Sequence, residues 1–277
     1  MKRRARTSNS VAVPDVESVA HALRSAAEQI LRPRFRSLEV DDIWEKAPGE
    51  IVTIADQECE AYLGSQLVAL MPGSVVLGEE ATSENPAILD RLTAQQPAWL
   101  LDPLDGTSAF AAGSSDYAVM AALVVRKQVV LAVIHHPEHD RTYAAELGAG
   151  AYEICTGTRL SVPARTGALE GAVMTRFLPP QLRATIQENE FRYGTLQPRT
   201  AAAGFEYPAI ACGDRDFMLY WRTLPWDHAP GALILSEAGG VAAHLDGSSY
   251  VPTKQREGLL IAVNRERWCS AKEALHL

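Results

Sequence analysis

The chain has 277 residues, of which 47% are hydrophobic and 22% are charged, as in an ordinary globular protein whose core needs no disulfide or structural metal. Its formal net charge of −8 argues against a large nucleic-acid interface, and no stretch approaches the ~20 apolar residues that span a bilayer. The four cysteines lie far apart, which predicts reduced, mostly buried thiols rather than a zinc site or a disulfide framework. We therefore expect a cytoplasmic protein.

Residues 1–14 are predicted to form a mobile N-terminal tail. The segment carries basic residues at positions 2–6, but no apolar stretch follows them, so it is not a secretory signal. A nucleic-acid arm or a contact with a protein partner is the alternative for this tail.

Helical spacing of apolar residues predicts a first helix over residues 15–31, ended by Pro33, and a second from residue 56 to Pro72. Alternating or apolar runs predict strands at residues 74–77, 98–101, 117–125, 128–137 and, as a pair around a glycine turn, 141–153.

From about residue 158 the pattern changes to short strands that alternate with helices. The strands are predicted near residues 171–175, 217–221 and 258–264. A helix is predicted from residue 228, with Pro230 in its first turn and Gly239 and Gly240 past its end. We predict a mixed α and β fold with a tail (1–14), an N-terminal half (15–157) and a C-terminal half (158–277).

Acidic side chains stand where the predicted strands end or the helices begin. They are Asp56, Glu79, Glu80, Asp102, Asp105 and Asp227. Such positions build sites in open α/β folds, and oxygen ligands suit a hard cation, magnesium first. A helix cap for Asp56 or Asp227, and a solvated turn for the glutamate pair, are the alternatives.

The run at residues 102–108 has a mechanical logic of its own. Pro103 fixes φ and donates no hydrogen bond, so the chain can turn out of the strand while both aspartates face one cavity. Gly106 permits close approach of a ligand, and Thr107 and Ser108 offer hydroxyl and N–H groups that suit a phosphate.

The motif "DPLDGT" at residues 102–107, with "GEE" upstream and "WDHAPG" about 120 residues downstream, resembles the inositol monophosphatase family. The resemblance covers roughly residues 15–265. It implies a magnesium-dependent, lithium-sensitive phosphomonoesterase with the layered αβαβα sandwich of the inositol monophosphatase and fructose-1,6-bisphosphatase type. It also implies a homodimer and a small phosphorylated metabolite as the partner.

The resemblance assigns two to three magnesium ions to these residues. Glu79, Asp102 and the carbonyl oxygen of Leu104 would hold the first ion, and Asp102, Asp105 and Asp227 the second. Glu79 would also touch a third, weaker ion.

The same resemblance assigns the catalytic step. Thr107, helped by Asp56, would orient and deprotonate the attacking water, with Glu79 counted among the catalytic residues. Gly106, Thr107 and Ser108 would cradle the phosphate during direct in-line attack. Glu80 is expected to support the site rather than to bind a metal ion.

The leaving-group side departs from the family pattern. Tyr220 stands where enzymes of inositol phosphates carry a glutamate, and Arg222 follows it; an arginine binds a second anion or a carboxylate well. Thr200 and Glu206 are further pocket candidates. Inositol phosphate, histidinol phosphate, a 3',5'-bisphosphate nucleotide and a sugar phosphate all stay open as substrates.

Other features keep competing interpretations open. The histidines at 135, 136 and 139 form a zinc site or, as expected here, a turn between strands. His228 is a candidate acid for the leaving group, and Lys46 is interpreted as a solvated loop residue rather than a neighbour of the metal site. A protein of another class, which binds RNA polymerase or a similar partner with dispensable catalysis, is the alternative function.

Overall fold

The computed structural model of the chain describes residues 12–189 and 202–277. The basic segment at residues 2–6 and the candidate Thr200 lie outside the described residues. In the part that is described, no helix is both long and apolar enough to cross a bilayer.

Helices occur throughout the described residues. They are α1 (Val16–Ala26), continued by a π-helical segment (Ala27–Leu31) into α2 (Arg32–Arg34), and then α3 (Ile54–Leu70), α4 (Glu79–Glu84), α5 (Thr107–Ala111), α6 (Pro180–Glu188), α7 (Ala203–Cys212), α8 (Pro225–Glu237) and α9 (Arg265–Ala274). Short 3₁₀ segments lie at Val40–Asp42, Pro86–Thr93 and Pro137–His139.

The strands form a hairpin and two larger sheets. The hairpin consists of β1 (Ile43–Ala47) and β2 (Glu50–Thr53). The seven-stranded sheet follows the chain order β3 (Val75–Gly78), β4 (Ala98–Asp105), β5 (Ala118–Val125), β6 (Gln128–His136), β7 (Arg141–Glu146), β8 (Gly150–Glu153) and β9 (Thr158–Leu160). The four-stranded sheet has the order β10-β11-β13-β12, from β10 (Gly171–Val173), β11 (Phe217–Tyr220), β12 (Val241–His244) and β13 (Leu259–Ala262).

Five layers result from the way these elements bury their apolar faces. Helices α1 and α3 cover one face of the large sheet, and α7 and α8 lie between its other face and the small sheet. Helix α9, with α6, covers the outer face of the small sheet. Strands β4 and β5 are buried almost throughout, and their successive residues join the cores on opposite faces of the sheet in turn, because successive side chains point to opposite sides. The predicted αβαβα sandwich is confirmed; the division near residue 157 stays a prediction.

Two prolines have a different place relative to the helix ends from the one predicted. The first helix does not end before Pro33 but runs to Arg34, because the π-helical turn Ala27–Leu31 shifts the hydrogen bonding ahead of it. Helix α8 begins at Pro225, so Pro230 lies inside the helix rather than in its first turn. The earlier proline occupies the favoured first position, and Pro230 costs the helix one internal hydrogen bond.

The cysteine prediction was half wrong. All four are free, but Cys155, Cys212 and Cys269 are exposed and Cys59 alone is buried. The exposed three lie in the turn after β8, at the end of α7 and on α9, which are outer positions where a thiol need not pack.

Candidate active site

Three carboxylates from separate elements meet at one edge of the large sheet. Strands β3 and β4 are parallel neighbours, with Gly78 opposite Leu101, so Glu79 and Asp102 follow at the same edge. Asp227 arrives from the first turn of α8. One carboxylate oxygen from each of Glu79, Asp102 and Asp227 lies within 4.8 Å of the other two.

Asp102 and Asp105 both lie in β4, which does not end at Leu101 as predicted. Asp102 pairs with Met120 and Asp105 with Ala118, with a register shift between them that accommodates Pro103. Both aspartates are buried. Asp105 Oδ2 accepts a hydrogen bond of 2.5 Å from the Gly204 N–H group at the start of α7.

Burial and mutual repulsion dominate the electrostatics of this cluster. Burial, and then the neighbouring charge of Glu79, raise the pKa of Asp102 and of Asp227 well above their ordinary values. The pKa of Asp105 is raised to about 7, again chiefly by burial. Such a set of hard oxygen donors, which repel one another when ionised, fits a divalent cation such as Mg²⁺.

Lys46 supplies a positive charge at the same place, which corrects its interpretation as a solvated residue. Its Nζ lies 2.7 Å from an oxygen of Glu79 and 2.7 Å from an oxygen of Glu80. Burial alone would lower the pKa of Lys46, but the two glutamates raise it above its ordinary value. One ammonium cannot neutralise both carboxylates: burial and Glu79 still raise the pKa of Glu80 to about 7.

Thr107 and Asp56 form a hydrogen-bonded pair beside the carboxylates. Thr107 Oγ1 lies 2.9 Å from Asp56 Oδ1 and 3.0 Å from the Leu104 carbonyl oxygen. The other oxygen of Asp56 accepts from the Thr53 N–H and hydroxyl groups at 2.8 and 2.6 Å. Burial raises the pKa of Asp56 to about 6, against the lowering effect of these hydrogen bonds. At neutral pH Asp56 is therefore ionised and can accept a proton.

The turn after β4 opens towards the same pocket. Gly106 has φ of +90° and caps α5, a conformation that residues with a Cβ rarely adopt. Thr107 and Ser108 follow as the first helical residues, whose N–H groups have no acceptor within the helix. Both line the pocket together with Gly106.

Other residues of the pocket come from the C-terminal half and the β1–β2 hairpin. Arg222 contacts the Glu50 carboxylate, and its guanidinium carbon lies 3.9 Å from the centre of the Phe177 ring. Arg176 stacks on the same ring at 4.9 Å and binds the Gly49 carbonyl oxygen.

Tyr220 lines the pocket beside Arg222, but most of its side chain is packed. Its ring centre lies 6.0 Å from that of Tyr207 and 4.7 Å from that of His228. Within the described residues its hydroxyl has no hydrogen-bond partner.

Glu206 lies elsewhere, contrary to the prediction. Its Oε2 is 2.9 Å from Arg215 Nη1, and its side chain faces a different cavity beside His136 and Cys212. Glu206 belongs to helix α7, which was not predicted from the sequence, and its position on that helix places it outside the pocket.

The histidines do not form a metal site in the described residues. His135, His136 and His139 bond separately to Thr142, to the Gly204 carbonyl and to Asp116. The expected turn is Pro137–His139, whereas His135 and His136 are the last residues of β6 and pair with β7.

His228 does not fit the role of an acid for the leaving group. Its two ring nitrogens lie 3.0 Å from the Tyr207 hydroxyl and 3.2 Å from the Arg222 carbonyl oxygen. Burial lowers the pKa of His228 to about 4, so the ring is neutral at neutral pH.

The profile of the group described as "Inositol monophosphatase family" matches residues 13–276. The chain belongs to the inositol monophosphatase family. Inositol monophosphatase 2 of Solanum lycopersicum is 27% identical over 87% of this chain and 91% of the relative. The fructose-1,6-bisphosphatase/inositol-1-monophosphatase of Thermotoga maritima is 30% identical over 75% and 77%.

Solved structures of the family share the fold. The extragenic suppressor protein suhB of Bartonella henselae superimposes with a TM-score of 0.79 at 24% identity, over 94% of this chain and 97% of that one. The inositol monophosphatase of Zymomonas mobilis gives 0.78 at 22% identity, over 95% and 98%. The chain is thus a phosphatase of the inositol monophosphatase type, a phosphoric monoester hydrolase, in a family that generally uses Mg²⁺.

Most site residues that the sequence indicated meet in this one pocket. Those that it missed hold others in place: Thr53 binds Asp56, Gly204 binds Asp105, and Glu50 binds Arg222. The capping pattern from Thr53 to Asp56 was visible in the sequence. The contacts of Gly204 and Glu50 join distant segments and left no local signal.

Proposed function

We propose that this inositol monophosphatase family member hydrolyses a small phosphorylated metabolite by direct in-line attack of water. The observation that carries the proposal is the convergence of Glu79, Asp102 and Asp227 beside the hydrogen-bonded pair of Thr107 and Asp56. The first group suits a divalent cation and the second can move a proton, which are the two requirements of metal-assisted phosphomonoester hydrolysis.

Glu79, Asp102 and Asp227 are the proposed core of the metal site, with Asp105 and the Leu104 carbonyl as further ligands of two to three Mg²⁺ ions. When bound, the ions would polarise the phosphoryl oxygens and lower the pKa of water. The raised pKa values of the aspartates support this assignment, because the ionised cluster is costly without a counter-charge.

Thr107 would orient the attacking water and relay its proton. The water donates to Thr107 Oγ1 while the threonine hydroxyl proton moves to Asp56 Oδ1, which lies at hydrogen-bonding distance. The oxygen of the water forms the new bond to phosphorus, and the alkoxide of the metabolite leaves on the opposite side. The N–H groups that follow Gly106 would hold the phosphate, with Ser108 at the exposed rim.

The two arginines of the pocket favour a leaving group that carries a second anion. Arg222 and Arg176 lie there on Phe177, and Glu50 is the nearby acidic partner. Tyr220 offers no carboxylate to a polyol. A bisphosphate is therefore our first substrate class, ahead of inositol monophosphate and of histidinol phosphate, whose amino group gains nothing from two arginines.

Lithium inhibition, a homodimer and a cytoplasmic location complete the proposal, each as a family property. Binding of RNA polymerase or a similar partner, with dispensable catalysis, stays the alternative. The complete carboxylate set favours catalysis over that alternative, because nothing in a purely structural role requires so many buried acids together.

The test is phosphate release from a panel of phosphomonoesters and bisphosphates, with EDTA, with Mg²⁺, and with Mg²⁺ plus lithium. We expect Mg²⁺-dependent, lithium-sensitive turnover that Asp102→Asn abolishes. Absence of release from every substrate, in protein that still binds Mg²⁺, would leave the partner-binding alternative.

A further inference from the structure

Glu60 lies one helical turn after Asp56 on α3, so both carboxylates share one face of that helix. Asp56 points to Thr107, whereas Glu60 reaches the chain that leaves β3. Glu60 Oε2 accepts a 2.8 Å hydrogen bond from the Glu80 N–H, and Oε1 accepts one of 2.9 Å from the Ala81 N–H.

The N-terminus of α4 needs this help because it has no cap of its own. Its N-cap residue is Gly78, which has no side chain and therefore caps nothing. The first N–H groups of a helix have no acceptor within it, and an N-terminal side chain normally supplies one. Here the acceptor comes from Glu60, about 20 residues earlier in the chain.

Gly78 makes room for the Glu60 carboxylate. Its φ of −83° is open to any residue, so backbone conformation does not demand glycine. A Cβ at this position would lie 2.2 Å from Glu60 Cδ and 2.2 Å from Oε2. Gly78 therefore serves contact with Glu60 rather than a strained turn.

We propose that Glu60 is a positioning residue for Glu79: it clamps the backbone of residues 78–81 and so fixes the Glu79 carboxylate towards Asp102 and Asp227. The inference rests on the proposed function, in which Glu79 is a metal ligand. One face of α3 then holds both halves of the site, the proton-accepting pair through Asp56 and the ligand turn through Glu60. The clamp is a bidentate one, and an ionised carboxylate makes stronger hydrogen bonds than a neutral group.

Binding of Mn²⁺ to the full chain, followed by electron paramagnetic resonance well below the unfolding temperature, tests the proposal. In Glu60→Gln the amide keeps the volume but turns an NH₂ group towards a backbone donor. We expect Mn²⁺ affinity to fall about 10- to 100-fold, as for other residues that orient metal ligands. The Mg²⁺ concentration for half-activation should rise in parallel, while KM for p-nitrophenyl phosphate at saturating Mg²⁺ stays unchanged.

Glu58→Gln is the matched control. Glu58 lies on the same helix but pairs with Arg34 at the surface, and its side chain is 42% exposed. Its replacement should leave Mn²⁺ affinity within about twofold of the unaltered chain, since exposed ion pairs contribute little.

A second pair of variants keeps the test decisive if Glu60→Gln folds poorly. Gly78→Ala alone should weaken Mn²⁺ binding, because its methyl group displaces the Glu60 carboxylate. In a Glu60→Ala background the same change should add little, since that carboxylate is already gone.

Unchanged Mn²⁺ affinity in Glu60→Gln, with or without a lower melting temperature, would show a merely structural role and overturn the inference. Additive losses in Gly78→Ala and Glu60→Ala would do the same. If the unaltered chain binds no Mn²⁺, the proposed metal site itself is wrong, and the inference falls with it.

Discussion

Thr107 Oγ1 lies 2.9 Å from Asp56 Oδ1 although 51 positions separate the two residues in the chain. Asp56 sits in the first turn of α3 and Thr107 in the first turn of α5, so the start of each helix contributes one member of the pair. Thr53 binds the remaining oxygen of Asp56 and leaves Oδ1 for Thr107. In the proposed mechanism this geometry gives Thr107 the role of a proton relay rather than a metal ligand, which has a direct kinetic consequence.

Thr107→Val should lower kcat about 10²- to 10⁴-fold with little change in KM, because the relay acts in the transition state. Steady-state kinetics at saturating Mg²⁺ measure this effect. Thr107→Ser keeps the hydroxyl and should recover most of the loss. Thr93→Val, on an exposed 3₁₀ segment, is the control and should behave like the unaltered chain. Equal losses in the Val and Ser variants would argue that packing, not the hydroxyl, matters.

Asp102→Asn should raise the stability of the metal-free protein and abolish its phosphatase activity. Its carboxylate is buried against Glu79, Asp105 and Asp227, so the neutral amide relieves repulsion in the metal-free protein. Urea unfolding in EDTA at pH 7.5 should give a free energy of unfolding about 1–3 kcal/mol above that of the unaltered chain. Phosphatase activity and Mg²⁺ affinity should collapse in the same variant. A less stable metal-free variant would contradict the repulsive character of the cluster.

The pH dependence of stability should reveal the raised pKa of Asp105, about 7 in the folded protein. The folded state binds this proton more tightly than the unfolded chain, in which an aspartate has a pKa of about 4. Stability is therefore lost as the pH rises from about 4 to about 7 and changes little above that. Without metal, the stability advantage of Asp105→Asn over the unaltered chain should therefore grow by about 2 kcal/mol between pH 5.5 and pH 8.

Urea unfolding of both proteins in EDTA at the two pH values measures this difference. The buried histidines, whose pKa values burial lowers, contribute equally to both proteins and cancel from the comparison. A difference that is the same at pH 5.5 and pH 8 would contradict the assignment.

Arg222→Gln should selectively impair substrates with a second anion. Its guanidinium stacks on Phe177 in the pocket, where the proposal places the leaving group. The kcat/KM ratio for a bisphosphate over its matched monophosphate should fall about tenfold, the equivalent of one charge-assisted hydrogen bond. Glu50→Gln should move the ratio in the opposite direction by freeing Arg222.

Arg159→Gln is the control for that prediction, since Arg159 lies on β9, the strand at the opposite edge of the large sheet from β3. Equal losses with the monophosphate and the bisphosphate in Arg222→Gln would mean that Arg222 docks the β1–β2 hairpin and does not select the substrate.

The central strands and the turns that carry the candidate acids could be predicted from the sequence alone. Strands β5 and β6, with their turn at residues 126–127, follow from apolar runs in the sequence, and α3 follows from apolar residues at helical spacing such as Cys59, Leu63 and Leu67. The motifs around Asp102, Glu79 and Asp227 named the candidate acids, because their spacing resembles that of a known family. These features need only neighbours in the chain to specify them.

The surroundings of those acids depend on tertiary contacts. Lys46 looks like a solvated lysine in the sequence, yet the β1–β2 hairpin carries it between Glu79 and Glu80. Helix α7 escaped prediction because it is apolar on nearly all sides, which gives no helical period to read; it is buried between the sheets.

The contacts of Glu60 with Glu80 and Ala81, and of Gly204 with Asp105, likewise join segments that meet only in the folded chain. Local chemistry can select which residues hold a ligand. Only long-range packing can set which charges face each other, because the energy of a buried charge depends on partners that the neighbouring sequence does not contain.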